Sequence, residues 1–269
     1  MNTVSKSAPG VEKNSTVRRS PLLAGNWKMY KTVPEAMALA QDLKNSLAGV
    51  SGREILICPP SVALVKVSEI IHGTNIQLGA QNLHWETEGA YTGELSAPML
   101  KAAGCKYVII GHSERRQYFG ETDETVAKKT ASALKAGLLP LVCVGETLAE
   151  RESNNHLTVV ERQTRNGIPQ LSKDDFLKIV VAYEPVWAIG TGKTASPAQA
   201  QEMHLLIRKT LSDVFGAELA QKTRILYGGS VKPDNIDALM SEPDIDGGLV
   251  GGASLKAADF SRIVKFEGR

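Results

Sequence analysis

The sequence predicts an α/β chain closed into a (β/α)8 barrel, with eight parallel strands ringed by helices. From Pro21 onward, eight short apolar runs recur with helical patterns and short connections between them. Each run is four to six residues long, rich in Ile, Val and Leu, and does not alternate with polar residues. That composition fits strands covered on both faces, as a parallel sheet requires. A doubly wound sheet usually has fewer strands and leaves the last two runs unexplained.

In order, the predicted strands are Leu22 to Gly25, Glu54 to Cys58, Ile76 to Ala80, Tyr107 to Gly111, Leu139 to Val144, Ile179 to Tyr183, Thr223 to Tyr227 and Gly248 to Gly251. Helical segments lie between them, at about Pro34 to Ala48, Ser61 to Ile71, Ala97 to Ala103, Thr122 to Ala136 and Leu157 to Asn166. A short helix near Lys173 to Leu177 follows, then Ala198 to Phe215, Pro233 to Met240 and Ala257 to Val264. Ser196 and Pro197 form an N-cap followed by proline at the first helical position, and Gly137 sits where a helix stop belongs.

The runs end in polar or glycine-rich residues: Asn26 and Lys28, Pro59-Pro60, Gln81-Asn82, His112-Ser113-Glu114, Glu146, Glu184, Gly228-Gly229-Ser230 and Gly251-Gly252. In a closed barrel these ends converge on one face, where an active site is expected. The opposite ends show no comparable cluster in sequence.

Composition narrows the field. At 269 residues the length suits one α/β barrel domain, expected over 21–269, and 42% hydrophobic with 22% charged residues is globular. No apolar run is long enough for a membrane span. Residues 1–20 carry Lys6, Lys13, Arg18 and Arg19 against Glu12, so they hold the positive charge and the rest of the chain is near neutral. A near-neutral body argues against nucleic acid as a partner and leaves any anion to a local site. This first segment, polar and broken by Pro9-Gly10, lacks the apolar core of a secretory signal and is expected to be a flexible extension. Cys58, Cys105 and Cys143 lie in or beside apolar runs, which suits reduced core thiols in a cytoplasmic protein.

Four features carry chemistry. Glu184 ends the sixth run, and Pro185 to Lys193 reads as a lid with hinges at the proline and at Gly190 and Gly192. A carboxylate beneath such a lid is expected to have its pKa raised by desolvation, as a general base requires. Taken alone, the same segment fits an Ω-loop with one surface glutamate, the commoner reading for its composition. His112 opens a helix-start pattern whose N–H groups disfavour a charged ring, so a neutral imidazole can donate to a substrate oxygen. Lys28 can supply a cation for an anionic substrate and a developing enolate, although most lysines are simply solvated. The glycine pairs after the seventh and eighth runs let backbone N–H groups approach a phosphate.

The five histidines are scattered and no cysteine pair has ligand spacing, so no metal site is expected. No dinucleotide fingerprint follows the first run, and no cofactor is expected. Base, neutral electrophile, cation, phosphate cradle and lid together fit aldose–ketose isomerisation through an enediolate.

From about Leu22 to the C-terminus the chain resembles the triosephosphate isomerase family. The resemblance rests on Gly-Asn-Trp-Lys-Met at 25–29, Gly-His-Ser-Glu-Arg-Arg at 111–116 and Tyr-Glu-Pro-Val-Trp-Ala-Ile-Gly-Thr-Gly-Lys at 183–193. Tyr-Gly-Gly-Ser-Val at 227–231 and Val-Gly-Gly-Ala-Ser-Leu at 250–255 complete the family order. It implies a TIM barrel that interconverts dihydroxyacetone phosphate and D-glyceraldehyde 3-phosphate, in glycolysis and gluconeogenesis. Glu184 would be the base and His112 the electrophile, a pairing beneath a closing loop that is a known feature of this family. Lys28 and Asn26 would stabilise negative charge, and the N–H groups of Gly190, Ser230, Gly251 and Gly252 would hold the phosphate.

The resemblance also implies supporting roles. Ser113, beside Glu114, would hold Glu184 when the lid is open. Glu146, Tyr227 and Ser230 would hold the closed lid, which carries Trp187. Cys143 matches a buried family cysteine. The segment from Asn82 through Thr92 to Glu94 resembles a loop that inserts into a neighbouring subunit, implying a homodimer. Two departures stand out: the extension before Pro21, and an additional glycine in Asp246-Gly247-Gly248-Leu249, expected to soften entry into the last strand. The competing expectation is an inactive paralogue acting as a binding or surface protein, but Lys28, His112 and Glu184 are all present.

Overall fold

A computed structural model describes residues 19–268. The expected extension therefore lies outside the described residues except for Arg19 and Ser20. Arg19 is tied down: its Nε donates to Asp246 Oδ1 at 2.7 Å and its Nη2 to the Pro243 carbonyl at 2.8 Å.

Eight parallel strands close in sequence order, with β8 pairing β1. They are β1 Leu22–Asn26, β2 Glu54–Cys58, β3 Ile76–Ala80, β4 Tyr107–Ile110, β5 Leu139–Val144, β6 Val180–Tyr183, β7 Arg224–Tyr227 and β8 Gly247–Val250. Every apolar run of the sequence is a strand, to within a residue or so at each end. The helices are α1 Val33–Ser46, α2 Leu64–Ile71, α3 Ala97–Ala102, α4 Ser113–Phe119, α5 Asp123–Lys135, α6 Leu148–Glu152 and α7 His156–Gly167. α8 Lys173–Phe176, α9 Pro197–Phe215, α10 Ala217–Lys222, α11 Ile236–Met240 and α12 Ala257–Val264 complete the ring. Thr147 and Ser196 cap α6 and α9 through reciprocal side-chain and backbone hydrogen bonds with Glu150 and Gln199.

Two boundaries and two short helices differ from expectation. The segment Ser61 to Ile71 begins as a 3₁₀ turn over Ser61–Ala63 before α2 starts. The chain from Pro233 turns before it becomes α11 at Ile236. The short helices α6 and α10 have too few turns to show a period in sequence.

The strands bury both faces, as their composition requires. Leu22, Ala24, Leu56, Tyr107, Ile109, Leu141, Cys143, Val180, Ala182, Leu226 and Leu249 pack together as one cluster. The alternate residues, among them Leu23, Ile55, Ile57, Val108, Val142, Val181 and Ile225, pack with the helices instead. At the N-terminal end of the strands a polar cluster closes the barrel, contrary to the sequence expectation. Arg224 Nη1 and Tyr107 Oη each donate to Glu54 Oε2 at 2.8 Å, and Lys106 Nζ donates to Glu54 Oε1 at 2.8 Å. These residues start β2, β4 and β7 or precede them, so only closure of the barrel brings them together.

The additional glycine also does more than soften a strand. Gly247 has φ +145°, and a Cβ there would lie 1.9 Å from the Leu22 carbonyl oxygen, so β8 can approach β1 only with glycine at this position. Gly248 has open van der Waals room. Among the described residues no helix is long and apolar enough to cross a membrane.

Candidate active site

The predicted site residues meet at the C-terminal ends of the strands around a cavity of about 350 Å³. Asn26, Lys28, His112, Glu184, Gly190, Ser230, Gly251 and Gly252 all line it. Each stands where its strand runs out. Asn26 is the last residue of β1, Glu184 follows β6, and Gly251 follows β8.

Glu184 is 1% exposed and fully engaged. Its Oε1 lies 2.9 Å from His112 Nε2, and its Oε2 accepts the Ser113 N–H at 2.9 Å. The Ser113 hydroxyl donates to Oε1 at 3.3 Å. Because α4 begins at Ser113, the glutamate sits on the N-terminal N–H groups of that helix. Burial pushes its pKa up, but the His112 ring, the Ser113 N–H and Lys28 together leave it below the ordinary carboxylate value. The sequence expectation of a raised pKa is thus corrected for this resting arrangement: desolvation is present, and the partners outweigh it. The buried Cys143 thiol, expected only as core, also lies against Glu184, and burial raises its pKa well above the usual thiol value.

His112 caps α4. Its Nδ1 accepts the Glu114 N–H at 3.2 Å, so Nδ1 carries a lone pair and the ring proton belongs on Nε2. Burial disfavours the charged ring, yet the adjacent Glu184 and Glu114 carboxylates pull the pKa above its ordinary value. Apart from the Glu184 contribution, burial and Lys28 favour the neutral ring and Glu114 opposes them.

Lys28 adopts a left-handed backbone, φ +52°, which aims its side chain back over the barrel. Its Nζ donates to Glu114 Oε1 at 2.6 Å, and its N–H donates to Asn26 Oδ1 at 3.0 Å. Gln81 Nε2 fixes the turn by donating to the Lys28 and Cys58 carbonyls at 2.8 and 2.9 Å.

The lid, residues 185–193, contains a 3₁₀ turn at Val186–Ala188, and Gly190 and Gly192 take left-handed φ of +69° and +80°. Trp187 Nε1 donates to Glu146 Oε1 at 2.8 Å. The same oxygen accepts from Tyr183 Oη at 3.0 Å and from Arg151 Nη1 at 2.9 Å, and the Arg151 guanidinium lies over the Trp187 ring at 5.1 Å. Glu146 therefore holds the lid through Trp187 in a position where Ile189 and Gly190 line the substrate cavity. Arg151 was not foreseen; it follows a capped helix start five residues after Glu146, a spacing with no sequence signature. Tyr227 Oη is buried beside the Ala195 backbone without a well-formed hydrogen bond. The Ser230 carbonyl accepts from Asn235 Nδ2 at 2.8 Å, which fixes the turn after β7.

The expected dimer-loop residues stand apart from the cavity. Asn82 Oδ1 accepts from Lys129 Nζ at 2.7 Å, Thr92 and Glu94 are exposed, and His84 stacks on Trp85 and Tyr91 within the loop. Asn82 and Glu94 line a second cavity of about 420 Å³ that also touches Lys28, His112 and Glu114.

Comparison with known proteins agrees with this geometry. The triosephosphate isomerase family model matches residues 21–267. A triosephosphate isomerase of Endomicrobium trichonymphae is 58% identical over 92% of this chain and 99% of its own length. One of Chloroflexus aurantiacus is 55% identical over 93% of this chain and its entire length. The crystal structure of triosephosphate isomerase from Bartonella henselae superposes with a TM-score of 0.82 at 44% identity, covering 91% of this chain and 97% of that one. The chain belongs to the triosephosphate isomerase family.

Proposed function

We propose that the protein interconverts dihydroxyacetone phosphate and D-glyceraldehyde 3-phosphate by proton transfer through an enediolate. The observation that carries this reading is the meeting of the Glu184 carboxylate, the His112 Nε2–H and the Lys28 ammonium at one cavity ringed by glycine N–H groups. The phosphate would lie against the N–H groups of Gly190, Ser230, Gly251 and Gly252. That places the reacting carbons toward Glu184.

The base is ionised at rest, because His112, Ser113 and Lys28 hold its pKa down. Leaving Ser113 for the substrate removes an N–H donor, so the carboxylate becomes more basic as it reaches the carbon-bound proton. It takes that proton from the carbon beside the carbonyl. The released electron pair forms the enediolate double bond and puts negative charge on the carbonyl oxygen. Nε2–H of His112 and Nζ of Lys28 stabilise that oxygen, with Asn26 beside them. His112 gives its Nε2 proton to the former carbonyl oxygen and takes the hydroxyl proton from the first carbon, so that when Glu184 returns the carbon-bound proton to the neighbouring carbon the first carbon becomes the aldehyde. Closure of the lid would exclude water while the enediolate exists and keep it from expelling phosphate. Trp187 would leave Glu146 in that step, and Tyr227 and Ser230 are placed to receive the closed lid.

The functional unit we propose is a cytoplasmic homodimer. Met29 and Phe119 line the cavity beside Lys28 and Glu114 and are exposed, as are Tyr30, Val62, Val65, Tyr91 and Met99, apolar surface that a second subunit would cover. The loop tip at Thr92 would enter that cavity of the partner. The N-terminal extension would stay outside this unit, so removing residues 1–18 is expected to leave turnover and assembly unchanged. Reaction of dihydroxyacetone phosphate in deuterated water tests the chemistry: deuterium at the transferred position of the product supports a protein-bound proton exchanging with solvent. Product with no deuterium at that position, or no product at all, contradicts it.

A further inference from the structure

Besides Tyr30, the titratable side chains that line the substrate cavity are Lys28, His112, Glu184 and Lys232. All but the last are engaged with one another or with a neighbour. Lys28 Nζ rests on Glu114 Oε1 at 2.6 Å, and His112 Nε2 lies 2.9 Å from Glu184 Oε1. Lys232 is exposed, and among the described residues its ammonium pairs with no carboxylate and donates no hydrogen bond.

The backbone beneath this lysine is fixed. Lys232 N–H donates to Asn235 Oδ1 at 2.8 Å, and its carbonyl accepts from the Ile236 N–H at 3.2 Å. Asn235 Nδ2 donates to the Ser230 carbonyl at 2.8 Å, so one asparagine clamps both ends of the turn that presents Ser230. Lys232 lies two residues beyond Ser230, at most about 7 Å of chain, and its stem can carry the ammonium over an anion held by the Ser230 N–H. The rest of the cradle is neutral, because Gly190, Gly251 and Gly252 offer N–H groups and no side chain. A phosphate monoester is close to a dianion at neutral pH, and enclosing that charge costs less beside a cation than against neutral donors alone. Lys28 stands at the carbonyl end with His112, which leaves Lys232 for the phosphate end.

We propose that Lys232 is a second substrate-binding cation, which draws the phosphate dianion into the cavity and holds it against the N–H groups of the turn, with no part in the proton transfer. Its exposed position lets it act on an approaching anion, so its effect is screened by salt. It acts on the phosphate and not on the reacting carbons, so it contributes to affinity and capture rather than to the chemical step. The role in turnover rests on the isomerase reading; the capture of phosphate does not.

Three variants test this. Lys232→Met removes the charge and keeps the stem, Lys232→Arg keeps the charge, and Lys209→Met removes one charge from an exposed position of α9 outside the cavity. With dihydroxyacetone phosphate, Lys232→Met should raise KM about threefold or more with kcat within about twofold, and its kcat/KM should depend less on ionic strength than that of the wild type. Isomerisation of D-glyceraldehyde, which has no phosphate, should be unchanged. Lys232→Arg and Lys209→Met should behave as the wild type. Inorganic phosphate titrated into the substrate-free protein, followed by phosphorus NMR, should bind Lys232→Met about threefold or more weakly, a reading in which activity plays no part. Unchanged phosphate affinity overturns the assignment. An equal loss in Lys209→Met overturns it in favour of net charge. A matching loss with D-glyceraldehyde, or no recovery in Lys232→Arg, overturns it in favour of a lysine that only shapes the turn. Absence of turnover by the wild type overturns the isomerase reading, and the phosphate titration then decides the role of Lys232 by itself.

Discussion

Oε1 of Glu184 lies 2.9 Å from Nε2 of His112, so the proposed base and the proposed electrophile rest on each other before substrate arrives. Each is perturbed by the other: the ring lowers the carboxyl pKa, and the carboxylate raises that of the ring. Substrate must separate them. Glu184→Gln removes the negative partner while preserving shape, and the His112 pKa should fall, since burial and Lys28 then act with only Glu114 opposing them. Titration of the His112 ring by NMR checks this, and a rise would contradict it.

The same pair sets the acid limb of turnover. Glu184 is held below the ordinary carboxylate value, so in the free protein it remains an ionised base as pH falls through the ordinary carboxylate range, and is lost only when pH falls through its depressed pKa. Once kcat/KM is corrected for protonation of the substrate phosphate at about pH 6, the remaining acid limb should lie below about pH 4.3, the ordinary glutamate value. Ser113→Ala removes one hydroxyl donor to Oε1 and should move that limb upward.

At the other end of the barrel, Glu54 is expected to govern acid stability. Burial acts to raise its carboxyl, but hydrogen bonds from Lys106, Arg224 and Tyr107 lower it to about 2. A depressed carboxyl stabilises the fold above its unfolded pKa of about 4.3, and that contribution is lost as pH falls from there toward 2. Glu54→Gln should cost on the order of 2 kcal/mol at neutral pH and flatten the stability profile below about pH 4, measured by urea unfolding across pH. An unchanged profile would show that the cluster is solvated and inert.

How far the sequence revealed these features depended on their range. The strand runs were legible because a strand buried on both faces needs an unbroken apolar stretch, and β2, β3 and β5 begin and end where expected. Glu184, His112 and Lys28 were legible as polar residues terminating such runs. What stayed hidden needs chain closure. Arg224, Tyr107 and Glu54 are more than fifty residues apart, and nothing local marks them as partners. The sign of the Glu184 shift was misread for the same reason: the lid suggested desolvation, while the opposing Ser113 N–H and His112 ring came from another strand end. Arg151, which braces Glu146, carried no motif.

Trp187 and Glu146 should act as the catch of the lid. Trp187→Phe keeps an aromatic ring and removes one hydrogen bond to a charged oxygen, which is worth about 1.5–3 kcal/mol. The lid should leave its resting position more readily, seen as faster amide exchange or altered relaxation at Gly190 to Lys193. Unchanged lid dynamics would show that Arg151 stacking, rather than the hydrogen bond, holds the tryptophan.

Lys31 adopts φ +76°, a left-handed backbone that costs a lysine about 1–2 kcal/mol. Lys31→Gly relieves this, partly offset by the freedom glycine adds to the unfolded chain. A net gain of about 0.5 kcal/mol or more should appear as a raised denaturation midpoint. A loss would mean that the lysine side chain contributes a contact stronger than the strain.

The central claim is that Glu184 is the base that moves the proton. The most direct test is a coupled assay of dihydroxyacetone phosphate turnover by wild type and Glu184→Gln, with fold checked by circular dichroism. Loss of the base should lower kcat by at least about 100-fold while the fold persists. Equal turnover by the two proteins would contradict the account.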